Sequence, residues 1–142
     1  MTLADSRFCG IVAGRLSANI VLDTGRVRGF LDVRPVFKGH VLLVPKSHVE
    51  TLVDLPGDML TPFFGAGQRL AKAMVDGLGA QGSFVAMNNV VSQSVAHLHL
   101  HVVPRTKGDG LRGFFWPRTK YAGPDEAEEY AARLRTVLEG DR

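Results

Sequence analysis

The chain has 142 residues, 45% hydrophobic and 22% charged, the composition of one globular domain with its own core rather than of a disordered segment. No apolar run approaches the roughly 20 residues of a membrane-spanning helix, and residues 1–7 lack the basic start and apolar stretch of a signal peptide, so neither membrane association nor export is expected. Cys9 is the single cysteine, which rules out an intramolecular disulfide and points to the cytoplasm; the net charge of +3 comes without the long basic, aromatic-interleaved stripe expected of a nucleic-acid binder.

In chain order, residues 8–14 form a short apolar segment that suits either one helical turn or a strand. Residues 19–23 and 27–32 flank Thr24-Gly25 and predict a hairpin. Residues 40–44 are apolar and β-branched, with Pro45 as the expected stop. Leu60, Phe63, Gly67, Leu70 and Met74 recur at steps of three and four. They predict an amphipathic helix to about Asp76 that tolerates Pro62 in its first turns and is closed by Gly77 and Gly79. Residues 83–87 read as a strand, 88–93 as a turn, and 97–103 as a central strand stopped by Pro104. Residues 108–123 look irregular, and 124–138 predict a closing helix with Pro124 and acidic residues at its start. Early strands with interspersed helices imply an α+β fold, one antiparallel sheet with helices packed on it.

Two features carry chemistry. Arg105, Lys107, Arg112, Arg118 and Lys120 cluster with only Asp109 against them, which reads either as an electropositive rim for anionic substrates or as a solvated loop. His97, His99 and His101 alternate with Leu98, Leu100 and Val102, so in an extended strand three imidazoles share one face and the apolar partners the other. A metal site built from this row alone is strained, because neighbouring members lie ~6.6 Å apart and the outer pair ~13 Å, against ~2 Å metal–nitrogen bonds. Different imidazoles with different tasks fit better. One presents a lone pair as nucleophile while its other nitrogen is held, and a neighbour holds a proton for a phosphate oxygen or leaving group. Gln93 and Ser94, just ahead of the row, offer an amide and a hydroxyl for phosphate oxygens.

The stretch Gln93-Ser94-Val95-Ala96-His97-Leu98-His99-Leu100-His101-Val102-Val103 resembles the signature of the histidine triad superfamily. Phe30-Leu31-Asp32-Val33-Arg34-Pro35 and Gly39-His40-Val41-Leu42-Leu43-Val44-Pro45-Lys46-Ser47-His48 resemble its upstream half, and Phe8-Cys9-Gly10-Ile11 its N-terminal segment. The resemblance covers residues 6–105. It implies one histidine triad domain over 1–142, with an antiparallel sheet of about five strands, a central helix and, beyond residue 106, a specificity segment and C-terminal helix. It further implies a homodimer.

Carried over, the resemblance makes His99 the nucleophile on an α-phosphorus, giving a nucleotidyl-histidine that water cleaves. His101 would contact the phosphate or leaving side, His97 would support the ring of His99, and His40 would complete the cluster. Asp32 would accept from the ribose hydroxyls; Phe8, Ile11, Phe30 and Val33 would form a slot for a purine; Asn88 would reach the sugar; Gln93 and Ser94 would hold the phosphate and leaving group. Ile11 and Val33 suit ordinary core equally well.

Two departures stand out. The family turn between asparagine and glutamine carries glycines, whereas Asn88-Asn89-Val90-Val91-Ser92-Gln93 is shorter and apolar, leaving open which asparagine meets the sugar. Many members hold structural zinc with a Cys-x-x-Cys pair and two histidines; here Ser6 stands in one cysteine's place and leaves Cys9, His48 and His97, so a structural zinc is not expected and no cofactor is required. The expected activity is hydrolysis or transfer at the α-phosphate of purine nucleotides, favouring nucleoside phosphoramidates because Trp116-Pro117 resembles that branch. The alternatives are a dinucleoside polyphosphate hydrolase, which the basic neighbours of that segment suit and which a divalent cation would assist, a nucleotide-binding scaffold with incidental catalysis, and a metal-binding module.

Overall fold

The computed structural model describes residues 7–112 and 118–140. The chain divides into two compact units, Met1–Asp109 and Gly110–Arg142.

The first unit is built on a five-stranded sheet in the order β1-β2-β3-β5-β4, every neighbouring pair antiparallel. Strands β1 (Ile20–Asp23) and β2 (Val27–Leu31) form the predicted hairpin. Its turn is held by Thr24, whose Oγ1 accepts the amides of Arg26 and Val27 at 3.1 and 3.0 Å. Strand β3 (Val41–Pro45) is buried along its whole length between β2 and β5 (Leu100–Arg105), and β4 (Gly82–Ala86) lies at the edge beside β5. Pro45 is the last residue of β3, as the sequence suggests, whereas Pro104 does not stop β5, which runs on to Arg105. The β3–β5 ladder covers only Val41–Leu43 and Leu100–Val102, so Pro45 and Pro104 lie beyond it and need satisfy a neighbour on one side alone.

Alternation on β3 separates two cores. Val41 and Leu43 face helix α2 (Leu60–Leu78), whose Phe63, Ala66, Leu70 and Met74 join Leu100 and Val102 in the main cluster. Burying one such phenyl or leucine contributes ~1.5–3 kcal/mol. Gly67 permits the close approach, since a Cβ there would lie 2.8 Å from Leu100 Cδ2. The helix outruns its expected end and closes on Gly79, at φ 72°. Leu42 and Val44 face the other way, packing with Phe30 against Phe8 and Ile11 of helix α1 (Arg7–Val12). The ambiguous N-terminal segment is thus helical, and Arg28 caps it by donating from Nη1 to the carbonyl of Ile11 at 2.9 Å.

The second unit holds helix α3 (Pro124–Gly140), with Asp125 and Glu126 in its first turn and Glu126 Oε1 accepting the Ala122 amide at 2.9 Å. Trp116 and Pro117 lie outside the described residues.

Candidate active site

The histidine row follows a strained turn. Val90 and Ser92 take φ of 69° and 60°, and for a β-branched valine the left-handed region costs on the order of 1–3 kcal/mol. Side-chain amides hold it there. Asn89 Oδ1 accepts the Leu52 amide at 2.7 Å, Gln93 Oε1 accepts that of Val90 at 2.9 Å, and Gln93 Nε2 donates to the Glu50 carbonyl at 2.6 Å. Asn88 Nδ2 donates to the Ser92 carbonyl. Asn88 and Gln93 therefore brace the turn and do not line the neighbouring cleft, whereas Ser94 and Val95 do.

That cleft, of about 390 Å³, lies on the α1 face of the sheet. Phe8, Ile11, Phe30 and Leu42 form an apolar wall, with Asp32, Ser94, His99 and His101 as polar groups. Ile11 is buried and serves both core and wall; Val33 is 68% exposed and belongs to the rim alone. Arg7 and Arg34 also line the cleft, and sequence reading missed both. Their signal was adjacency to Phe8 and Asp32, which charge counting does not register.

Regular pairing in β5 begins at Leu100, not His97, because the Leu98 amide instead donates to the Val49 carbonyl at 2.6 Å. The row consequently divides. His99 is buried beside Phe8, ring centres 4.9 Å apart, and its Nδ1 lies 2.7 Å from the carbonyl of His97. A carbonyl only accepts, so Nδ1 carries the proton and Nε2 keeps a lone pair. The ring centre of His101 lies 5.2 Å away, and its Nδ1 is 2.9 Å from His40 Nε2. Burial, reinforced by His99 and His40 and opposed by Asp32, pushes His101 down to about 4, and burial lowers His40 too, so both are neutral near pH 7. Asp32 is fixed by Oδ1 accepting the Arg34 amide at 2.9 Å, with Oδ2 3.8 Å from His40 Nδ1.

His97 is fully buried and turned off the cleft, correcting the expectation of a single row lining one surface. Its Nε2 donates to the Pro45 carbonyl at 2.9 Å, leaving the Nδ1 lone pair 3.4 Å from Cys9 Sγ. His48 Nδ1 approaches the same sulfur at 3.1 Å, while His48 Nε2 is buried with no hydrogen-bond partner among the described residues. One thiol proton serves one of these two imidazoles at a time. A thiolate and two imidazole nitrogens within 4.8 Å of one another are donors that suit zinc. Ser6 and Asp5 lie outside the described residues. Asp32, His40 and His101 also converge, but both nitrogens of His40 and Nδ1 of His101 are already hydrogen-bonded, which does not suit a cation. In the basic cluster, Arg105 is paired with Asp109 at 2.7 Å.

Residues 13–108 match the HIT domain, and the chain belongs to this histidine triad family. Among curated relatives, the adenosine 5′-monophosphoramidase of Saccharomyces cerevisiae is 33% identical over 112 residues, 78% of this chain and 68% of that one. A HIT family crystal structure from Bacillus subtilis superposes with a TM-score of 0.84 at 30% identity, covering 93% of this chain and 96% of the other. A zinc-bound histidine triad family protein from Mycobacterium smegmatis is similar at 34% identity and a TM-score of 0.73, covering 96% and 99%.

Proposed function

We propose that the protein cleaves the bond between the α-phosphorus of a purine nucleotide and its leaving group, with nucleoside phosphoramidates favoured and His99 as nucleophile. The observation that carries this reading is the His99 ring, on the cleft wall with Nδ1 held by the His97 carbonyl at 2.7 Å. Its Nε2 lone pair attacks phosphorus, an N–P bond forms, and the bond to the leaving group breaks. Water then cleaves the N–P bond, releasing the nucleoside monophosphate and the neutral imidazole. The Nδ1–H bond to the His97 carbonyl is strongest while the phosphorylated ring is cationic, which favours the intermediate.

The other walls fit the parts of such a substrate. The purine packs among Phe8, Ile11 and Phe30 with Val33 at the rim; Asp32 accepts from the ribose hydroxyls; Ser94 and His101 meet the phosphate and leaving side. Asn88 and Gln93 act one step back, by holding the turn that carries Ser94. The similarity to a yeast adenosine 5′-monophosphoramidase supports this substrate class. No cofactor takes part at the reacting atoms. Cys9, His48 and His97 are the residues that would hold zinc, and such an ion would supply a fixed orientation for His97. With one thiolate and two imidazoles among the described donors, the fold is proposed not to depend on it.

A second reading, a dinucleoside polyphosphate hydrolase assisted by a divalent cation, is favoured by Arg7 and Arg34, two cations on the cleft wall. We also propose a cytoplasmic homodimer with no nucleic-acid or membrane partner. Phe64 and Leu78 of α2, 40% and 57% exposed, are apolar surface a second copy would cover, and no described helix is long and apolar enough to cross a membrane. Turnover of an adenosine phosphoramidate, diadenosine polyphosphates and a nucleoside diphosphate sugar, measured beside binding affinity, tests the reading. Highest kcat/KM on the phosphoramidate is expected. Preference for the polyphosphates selects the second reading, and tight binding without turnover of any substrate leaves a nucleotide-binding scaffold.

A further inference from the structure

His40 is 3% exposed and does not line the cleft, yet both its ring nitrogens are engaged. The main-chain amide of Val36 donates to His40 Nδ1 at 3.1 Å. An amide N–H can only donate, so the proton of the neutral ring sits on Nε2. That Nε2 lies 2.9 Å from His101 Nδ1 and must donate to it. His101 Nδ1 then accepts, and the one proton of the neutral His101 ring is left on Nε2. The relay begins at a backbone group and is anchored at both ends of its loop: the His40 amide donates to the Phe37 carbonyl at 3.0 Å, and the His40 carbonyl accepts the Asp32 amide at 2.9 Å.

We infer that His40 is a positioning residue that fixes the tautomer of His101, so that His101 offers an N–H, and not a lone pair, to the atom leaving the α-phosphorus. The two rings facing the substrate then have opposite polarity, each set by the main chain. A carbonyl acting directly on His99 leaves a lone pair. An amide acting through one intervening imidazole leaves a hydrogen-bond donor on His101. Without this constraint a neutral His101 divides between two tautomers, and one of them presents a second lone pair to an already electron-rich leaving atom. Burial supports the arrangement by keeping both rings neutral. Asp32 Oδ2, 3.8 Å from His40 Nδ1, is the anion beside the relay.

The catalytic consequence rests on the proposed attack by His99, whereas the tautomers stand on geometry alone, so two measurements separate the claims. Long-range proton–nitrogen NMR of nitrogen-15 histidine-labelled protein should show His40 and His101 protonated on Nε2 and His99 on Nδ1. His40→Gln, whose amide can still donate, should keep the His101 tautomer; His40→Leu should let it divide. In turnover, His40→Leu should lose about tenfold or more in kcat on an alkylamine phosphoramidate of adenosine monophosphate. On the p-nitrophenyl ester of the same nucleotide, whose leaving group departs without help, the loss should stay within about threefold, with KM little changed on both. A His101 protonated on Nδ1 in the unaltered protein overturns the inference, as does an equal loss on the two substrates. Protein that shows the expected tautomers but turns over neither substrate overturns the functional proposal instead.

Discussion

Two imidazole clusters share one short segment of chain and have opposite surroundings. Around His97, two imidazole nitrogens close on the Cys9 sulfur away from the cleft, and the carbonyl of Pro45 takes the His97 N–H. Around His99 and His101, just further along the chain, one nitrogen of each ring is held and the other is left to the cleft. The same residue type therefore does two jobs, and the difference lies in what is bonded behind each ring. A ring turned away from the cleft holds structure; a ring with one nitrogen held and the other open to the cleft is poised for chemistry. The clusters are joined through His97, whose side chain belongs to the first and whose carbonyl holds the His99 ring of the second.

The largest effect should come from breaking the cleft side of this comparison. His99→Ala should lower turnover by about three powers of ten or more while nucleotide affinity stays within about tenfold, because the covalent route is lost and the pocket is not. Steady-state kinetics beside calorimetric titration checks both halves, and near-normal turnover would sink the nucleophile assignment. Asp32→Ala should weaken ribonucleotide binding by ~1–3 kcal/mol, the range for a charge-assisted hydrogen bond, and narrow the preference over the 2′-deoxy form. A variant that discriminates the two sugars as well as the original would remove Asp32 from the ribose site.

Acid acts on both clusters. Burial holds His40, His97 and His101 below the ordinary value near 6.5, His101 down to about 4. Below about pH 6.5 the unfolded chain binds protons that the folded chain refuses, so the stability from keeping these rings neutral is complete above that pH and lost as it falls toward 4. Tm should drop between about pH 7 and 5, and replacing His101 with Asn should shrink the drop. A flat profile would mean that the rings accept protons in the fold.

The smallest effect should fall on the closed cluster. Purified protein should carry substoichiometric zinc and keep its Tm when a chelator is added, because the described donors number one thiol and two imidazoles where a structural site takes four. In a protein with no ion, Ser6→Cys should be nearly silent. Stoichiometric zinc with chelator-induced unfolding would make Cys9, His48 and His97 a true structural site, which Ser6→Cys should then tighten.

Local patterns were legible in the sequence. The hairpin across Thr24-Gly25, helix α2 with its glycine cap and the apolar, β-branched run of β3 depend on neighbours within a few residues. The sharing of one face by His99 and His101 also followed from local alternation, whereas Asp32 beside them was implied by the family resemblance. Long-range hydrogen bonds were not legible. The Leu98 amide bonds 49 residues back in the chain, to Val49, which takes His97 out of the regular strand. Glu50 and Leu52 similarly engage Gln93 and Asn89 in hydrogen bonds that brace a strained turn. The two cleft arginines were hidden because each sits beside a residue, Phe8 or Asp32, whose role was read first.

The most direct measurement is to trap the proposed covalent bond between His99 and the nucleotide's phosphorus. Protein mixed with adenosine phosphoramidate should be quenched in alkali within a single turnover and digested for mass spectrometry. One nucleoside monophosphoryl group is expected on His99, forming and decaying fast enough to carry turnover and missing from His99→Ala. Turnover with no adduct, or with the nucleotidyl group on His101, would contradict it.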